Sequence, residues 1–170
     1  MKNTQILIFT LIASILCSCK SDPIEPFELS VTDYDYSLAY SILYRLTEKK
    51  LTITFRGELE NEKDSILYET DDLPRKEIRE LSKITLDSLG VLYSNPCIAD
   101  GDIKVYRFTK NGITKQVQIQ NYYQEDLSPV IELINKIVPE KFKMYNDKKN
   151  LIESLERCGK SHVLMSLDEK

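Results

Sequence analysis

The stretch DIKVYRFTKNGITKQVQIQNYY, residues 102–123, constrains the fold more than any other part of this 170-residue chain. Asn111-Gly112 supplies the two residues that most readily take the positive φ angles of a type I′ turn. On one flank Ile103, Val105 and Arg107 alternate with Tyr106 and Phe108, and Val117 and Ile119 alternate across the turn. A period of two on both sides of a two-residue turn predicts an antiparallel hairpin with one face to bury.

Similar patterning recurs upstream. Tyr34, Tyr36, Leu38, Tyr40, Ile42, Tyr44 and Leu46 alternate with smaller or polar residues, which predicts one half-buried strand carrying the tyrosines on a single face. After the polar TEKK, LTITFRGEL alternates again, with Leu51, Ile53 and Phe55 against Thr52, Thr54 and Arg56, and the two segments read as a second hairpin. SILYET, residues 65–70, reads as a further strand. DDLPRKEIRELSKITLDSL predicts a helix over 71–89, capped by Asp71 or Asp72, with Pro74 in its first turn and Gly90 as its stop.

SPVIELINKIVPE predicts another helix, with Ser128 as N-cap, Pro129 first inside and Pro139 as the break. A last helix is expected from Asp147 to Cys158, ended by Gly159. Tight turns between strands favour antiparallel pairing, so the expected class is α+β. The expected sheet has about five antiparallel strands, made from two hairpins plus a strand, with helices on one face. The hairpin-then-helix order occurs twice, which makes a twofold structural repeat a candidate.

The N-terminus carries a different signal. Lys2 precedes ILIFTLIASIL, Ile6 to Leu16, which contains no charge. That length fits a signal-peptide core and falls short of the ~20 residues of a membrane span. Leu16, Cys17, Ser18 and Cys19 follow at its end and resemble the lipobox of bacterial lipoprotein precursors. Cys17 departs from the Ala, Ser or Thr usual at its position but is of similar size. The resemblance implies cleavage before Cys19, a diacylglyceryl group on its thiol, and acyl chains of the palmitate class. Each buried methylene contributes about 0.8 kcal/mol, so two or three chains would anchor a soluble domain. The alternative for Cys17 and Cys19, a Cys-x-Cys metal site, lacks further soft ligands, since no cysteine or histidine follows within fifty residues.

The expected organisation is therefore a signal peptide over 1–18, a lipidated N-terminus and tether over 19–32, one α+β domain over 33–160, and a tail over 161–170. Losing Lys2 changes the formal charge from −4 to −5, and no basic cluster is present, so nucleic acid is a poor partner. The lipid would do the membrane work alone. Cys97 and Cys158 are left as a candidate disulfide, with two separate buried thiols as the alternative.

The search for chemistry returns no catalytic residue, cofactor or metal. His162 stands without a partner in any motif, the glycines are scattered, and no nucleophile elbow occurs. Asp33, Asp35, Asp100, Asp102 and Asn111 border the hairpins without the spacing of a calcium loop, and read as turn and cap residues. Cys97 lacks a neighbouring base. Tyr34, Tyr36, Tyr40 and Tyr44 would form core if helices cover their face and a sticky binding surface if not. Tyr122 and Tyr123 form a smaller exposed candidate pair.

Strand YSILY, helix PRKEIRELSKI, Cys97 ahead of the second hairpin, and helix SPVIELINKIV, together spanning residues 36–138, resemble small bacterial envelope domains of unknown function. That resemblance implies the hairpin, helix, hairpin, helix order and no particular activity. The expected role is a lipid-anchored envelope protein, not an enzyme, in the outer membrane, on its periplasmic or surface face. Its module would be a binding or structural one that holds an envelope protein or glycan. The alternative is an immunity or inhibitor lipoprotein that neutralises a toxin or hydrolase. A third reading, an enzyme assembled from distant residues, requires a polar cleft at Asp100, Asp102 or His162.

Overall fold

A computed structural model describes residues 23–35, 40–57, 61–98 and 100–158, with side chains for all of these except Asp35 and Tyr40. Seven strands form one sheet: β1 (Phe27–Asp35), β2 (Tyr40–Thr47), β3 (Leu51–Gly57), β4 (Ser65–Thr70), β5 (Leu92–Ser94), β6 (Ile103–Lys110) and β7 (Ile113–Gln120). The described helices are α1 (Arg75–Leu81), α2 (Ser128–Ile137) and α3 (Lys148–Arg157), with 3-10 turns at Leu86–Ser88 and Glu140–Phe142. The strand order is β4-β3-β2-β1-β6-β7-β5.

The class is α+β, but the sheet is larger than the five antiparallel strands expected, and it is mixed. β5 pairs in parallel with β7, while the other neighbours are antiparallel. Both additions have a physical reason. Phe27, Leu29 and Val31 alternate with Glu28, Ser30 and Thr32, and the apolar set is buried, so residues 27–32 are the start of the central strand rather than tether. β5 has three residues, too few to show a period. The two hairpins, β2–β3 and β6–β7, lie on either side of β1.

The single strand expected over residues 34–46 is two strands. β1 ends at Asp35 and β2 starts at Tyr40, paired antiparallel with Val31 opposite Tyr44 and Tyr34 opposite Ser41. Tyr34 and Tyr44 therefore point to opposite faces, and the expected one-sided tyrosine stripe does not form. Tyr36 lies outside the described residues.

The Asn111-Gly112 turn is as expected, with φ of 51° and 77°. The helix expected over 71–89 is shorter. α1 ends at Leu81, where the Ser82 hydroxyl donates to the Arg79 carbonyl at 2.8 Å and Lys110 Nζ of β6 donates to the Ser82 carbonyl at 2.6 Å. A tertiary contact thus ends the helix well before Gly90. Neither Asp71 nor Asp72 caps it, and Pro74 sits at the N-cap position.

At α2, Pro129 is in the first turn as expected, but Ser128 does not cap. Its hydroxyl accepts from Gln124 N at 2.9 Å, and Gln124 Oε1 accepts from Asp126 N at 2.8 Å and Leu127 N at 2.6 Å. Asp147 does cap α3, accepting from Asn150 N at 3.0 Å.

The core lies on one side of the sheet. Phe27, Leu29 and Val31 of β1, Tyr44 and Leu46 of β2, Leu51 and Ile53 of β3, and Tyr106 and Phe108 of β6 pack with Ile78 of α1 and Val130, Ile131 and Ile134 of α2. These residues are the alternate set of each strand, so the helical layer covers one face. Among the described residues, no helix is long and apolar enough to cross a membrane.

Candidate binding face of the sheet

The other set of alternate residues builds the face that no described helix covers, with Thr32 and Ser41 buried within it, and the pairing registers arrange it as a grid. One row across β3, β2, β1, β6 and β7 reads Thr52, Arg45, Ser30, Arg107, Gln116. The next reads Thr54, Leu43, Thr32, Val105, Gln118, and Ile66 of β4 extends it opposite Thr54. The third reads Arg56, Ser41, Tyr34, Ile103, Gln120. Rows along a strand are about 6.7 Å apart, and neighbouring strands about 4.8 Å.

The twist of the sheet makes this surface concave, enclosing about 570 Å³ between its arginines, Tyr34 and the aliphatic row. Arg45 and Arg107 flank Ser30 from the two neighbouring strands, two strand spacings or about 10 Å apart. Arg45 Nε lies 3.6 Å from Glu28 Oε1, and Arg107 donates to Gln116 Oε1 at 3.2 Å. These contacts hold the guanidinium groups over the face while leaving them exposed. An exposed pair of this kind adds little stability. Between the basic row and Arg56, Leu43 and Val105 are half-buried, as is Ile103 in the row of Arg56, and Ile66 at the sheet edge is 67% exposed. The face thus sets three arginines around a central row of mixed aliphatic and polar residues.

The covered side holds a polar cluster that sequence reading missed. Lys104 shares a face with Tyr106 and Phe108, so the alternation in DIKVYRF already places it inward. Its side chain is 2% exposed, and its ammonium contacts the Asp102 carboxylate and lies 3.6 Å from Asp33 Oδ1. Burying an ammonium is tolerated only with such partners. Tyr44 donates to the Phe142 carbonyl at 2.9 Å, while the Tyr106 hydroxyl has no hydrogen-bond partner among the described residues. Burial, with the nearby Asp33 charge, pushes the Tyr44 hydroxyl well above its ordinary pKa. Burial followed by Asp102 and Asp33 does the same for Tyr106. Lys104 is therefore enclosed by its carboxylates rather than presented to a substrate.

The remaining sequence candidates fall as follows. Asp102 is the partner of Lys104 as well as a turn residue. Asn121, at φ 48°, clamps the loop before it, donating from Nδ2 to the Asp100 carbonyl at 3.3 Å and accepting from Asp102 N at 3.0 Å. Cys97 and Cys158 are joined as a disulfide, with Cα atoms 5.8 Å apart. This bridge and Asn95 Nδ2, which donates to Ser154 Oγ at 3.2 Å, tie α3 to the segment after β5. Tyr122 and Tyr123 are half-buried rather than an exposed pair. Tyr122 packs on Tyr93 at 5.7 Å, and Tyr123 donates to Glu132 at 3.2 Å. Cys19 and His162 lie outside the described residues. Among the described residues, no group of three or more His, Cys, Asp or Glu side chains is arranged to hold a metal. Comparisons with protein-family models, curated proteins and solved structures find no match to this chain.

Proposed function

We propose that this chain is a lipid-anchored envelope protein, joined to the membrane through Cys19, whose domain is a non-catalytic module that binds a partner on the uncovered face of its sheet. The observation that carries the reading is that face: Leu43 and Val105 in one row, Arg45 and Arg107 in the row beside it and Arg56 in the row beyond, with no described helix over them. Arginines beside aliphatic side chains, with Tyr34 at one end, are residue types enriched in protein-binding surfaces. The short apolar run ending in Leu16-Cys17-Ser18-Cys19 supports the anchor. The outer membrane is the proposed location.

Two measurements test the two halves. The intact mass of protein purified from membranes should correspond to a chain that starts at Cys19 and carries acyl groups. A chain that retains Ile6 to Leu16 without acyl mass removes the anchor. A photo-crosslinking amino acid at Gln118, on the open face, should give adducts in cells, whereas one at Lys136 of α2 should not. Adducts from Lys136 alone would place binding on the helical layer and defeat the reading.

A further inference from the structure

Resting on that reading of the open face, we infer that its partner is an acidic protein segment, one that sets aliphatic side chains on the Leu43–Val105 row and carboxylates against Arg45 and Arg107. The first argument is charge complementarity. The whole chain is acidic, at a formal −4, yet the concave face carries Arg45, Arg56 and Arg107 against Glu28 and, at the β4 edge, Glu69, which Lys50 already pairs at 2.8 Å. The local sign is therefore opposite to that of the molecule, and such a patch steers and orients an anionic partner. Arginine forks suit carboxylates, which they can grip with two parallel hydrogen bonds.

The floor distinguishes protein from glycan. Sugars are held by stacking on aromatic rings, and this face offers Tyr34 at one end only. Its middle row, six strands wide, alternates aliphatic Ile66, Leu43 and Val105 with Thr54, Thr32 and Gln118. A surface of that kind buries Leu, Val or Ile side chains of a partner at about 25 cal/mol per Å². The acidic groups fall beside the Leu43–Val105 row because Arg45 and Arg107 lie one row away on one side and Arg56 one row away on the other. The arrangement calls for carboxylates about two residues from an aliphatic centre on an extended partner.

The test uses the processed, lipidated protein in detergent and two defined probes. One is a fluorescent peptide, Glu-Ser-Leu-Ser-Glu-Ser-Val-Ser-Glu, which sets Glu, Leu and Val on one face of an extended chain, and the other is polygalacturonate, an anionic glycan. The peptide should bind, and Arg45→Glu/Arg107→Glu should weaken it by at least about tenfold. The milder Arg45→Gln/Arg107→Gln variant should give a smaller loss, and both side chains are exposed, so folding is preserved. Raising salt should weaken binding in parallel. Polygalacturonate binding as tightly as the peptide, no binding of the peptide, or binding indifferent to the arginine changes would each overturn the inference. If Gln118 still yields adducts in cells, the binding face stands and only the partner class falls. If it yields none, the face itself falls.

Discussion

Lys104, Tyr44 and Tyr106 are the residues whose burial has the largest measurable consequences. Replacing Lys104 by Met leaves Asp33 and Asp102 without their cation beneath the helical layer. We expect a loss of about 2–3 kcal/mol in urea unfolding, toward the low side for a broken ion pair because both carboxylates keep some solvent contact. Tyr106→Phe should have the opposite sign. It removes a buried hydroxyl without a hydrogen-bond partner among the described residues and should stabilise by about 1 kcal/mol.

The two tyrosines also set an alkaline limit. Their folded-state pKa values lie above the ordinary value of 10.0, so above pH 10 the unfolded chain releases protons that the folded chain retains. Stability contributed by the neutral hydroxyls is present in full below pH 10 and falls as pH rises past it, by about 1.4 kcal/mol per pH unit for each group. Unfolding midpoints measured from pH 9 to 11 should decline over the upper part of that range, and Tyr106→Phe should make the decline shallower. An unchanged slope in that variant would contradict the burial of this hydroxyl.

At the scale of elements, the β6–β7 hairpin and the clamp before it depend on a few backbone positions. Gly112 has φ 77° and open space around its Cα, so Gly112→Ala meets only the conformational penalty, about 1 kcal/mol. Gly101 has φ 136° and faces the Asn121 side chain, so Gly101→Ala should cost more, and thermal melts of the two variants would rank them. The Cys97–Cys158 bridge closes a loop of 61 residues, and reducing it should lower stability by about 4 kcal/mol in the chain-entropy account. Reduction with no shift in melting would contradict that contribution.

These elements were unequally legible in the sequence. The hairpin was readable because its turn chemistry is local. The Cys97–Cys158 pairing was open, because it depends on how α3 folds back to β5. β1 was hidden because two prolines precede it, because its neighbour β6 is distant in sequence, and because the alternation of residues 34–46 runs on unbroken from β1 into β2. The early stop of α1 could not be read, since Lys110 of a distant strand supplies it.

At the scale of the whole molecule, the sheet separates two chemistries. One alternate set of residues forms the core under the helices, and the other forms a concave surface on which three arginines stand around Leu43 and Val105. The strand pattern in the sequence carries both sets, but only the registers bring Arg45, Arg107 and Arg56 together across three strands. Arginine-specific glyoxal labelling, compared between purified protein and protein in isolated envelopes, tests the central claim most directly. Arg45, Arg56 and Arg107 should be protected in the envelope, while the exposed Arg75 of α1 and Arg157 of α3 label equally in both. Equal labelling of all five, or protection confined to Arg75 and Arg157, would contradict the open sheet face as the binding surface.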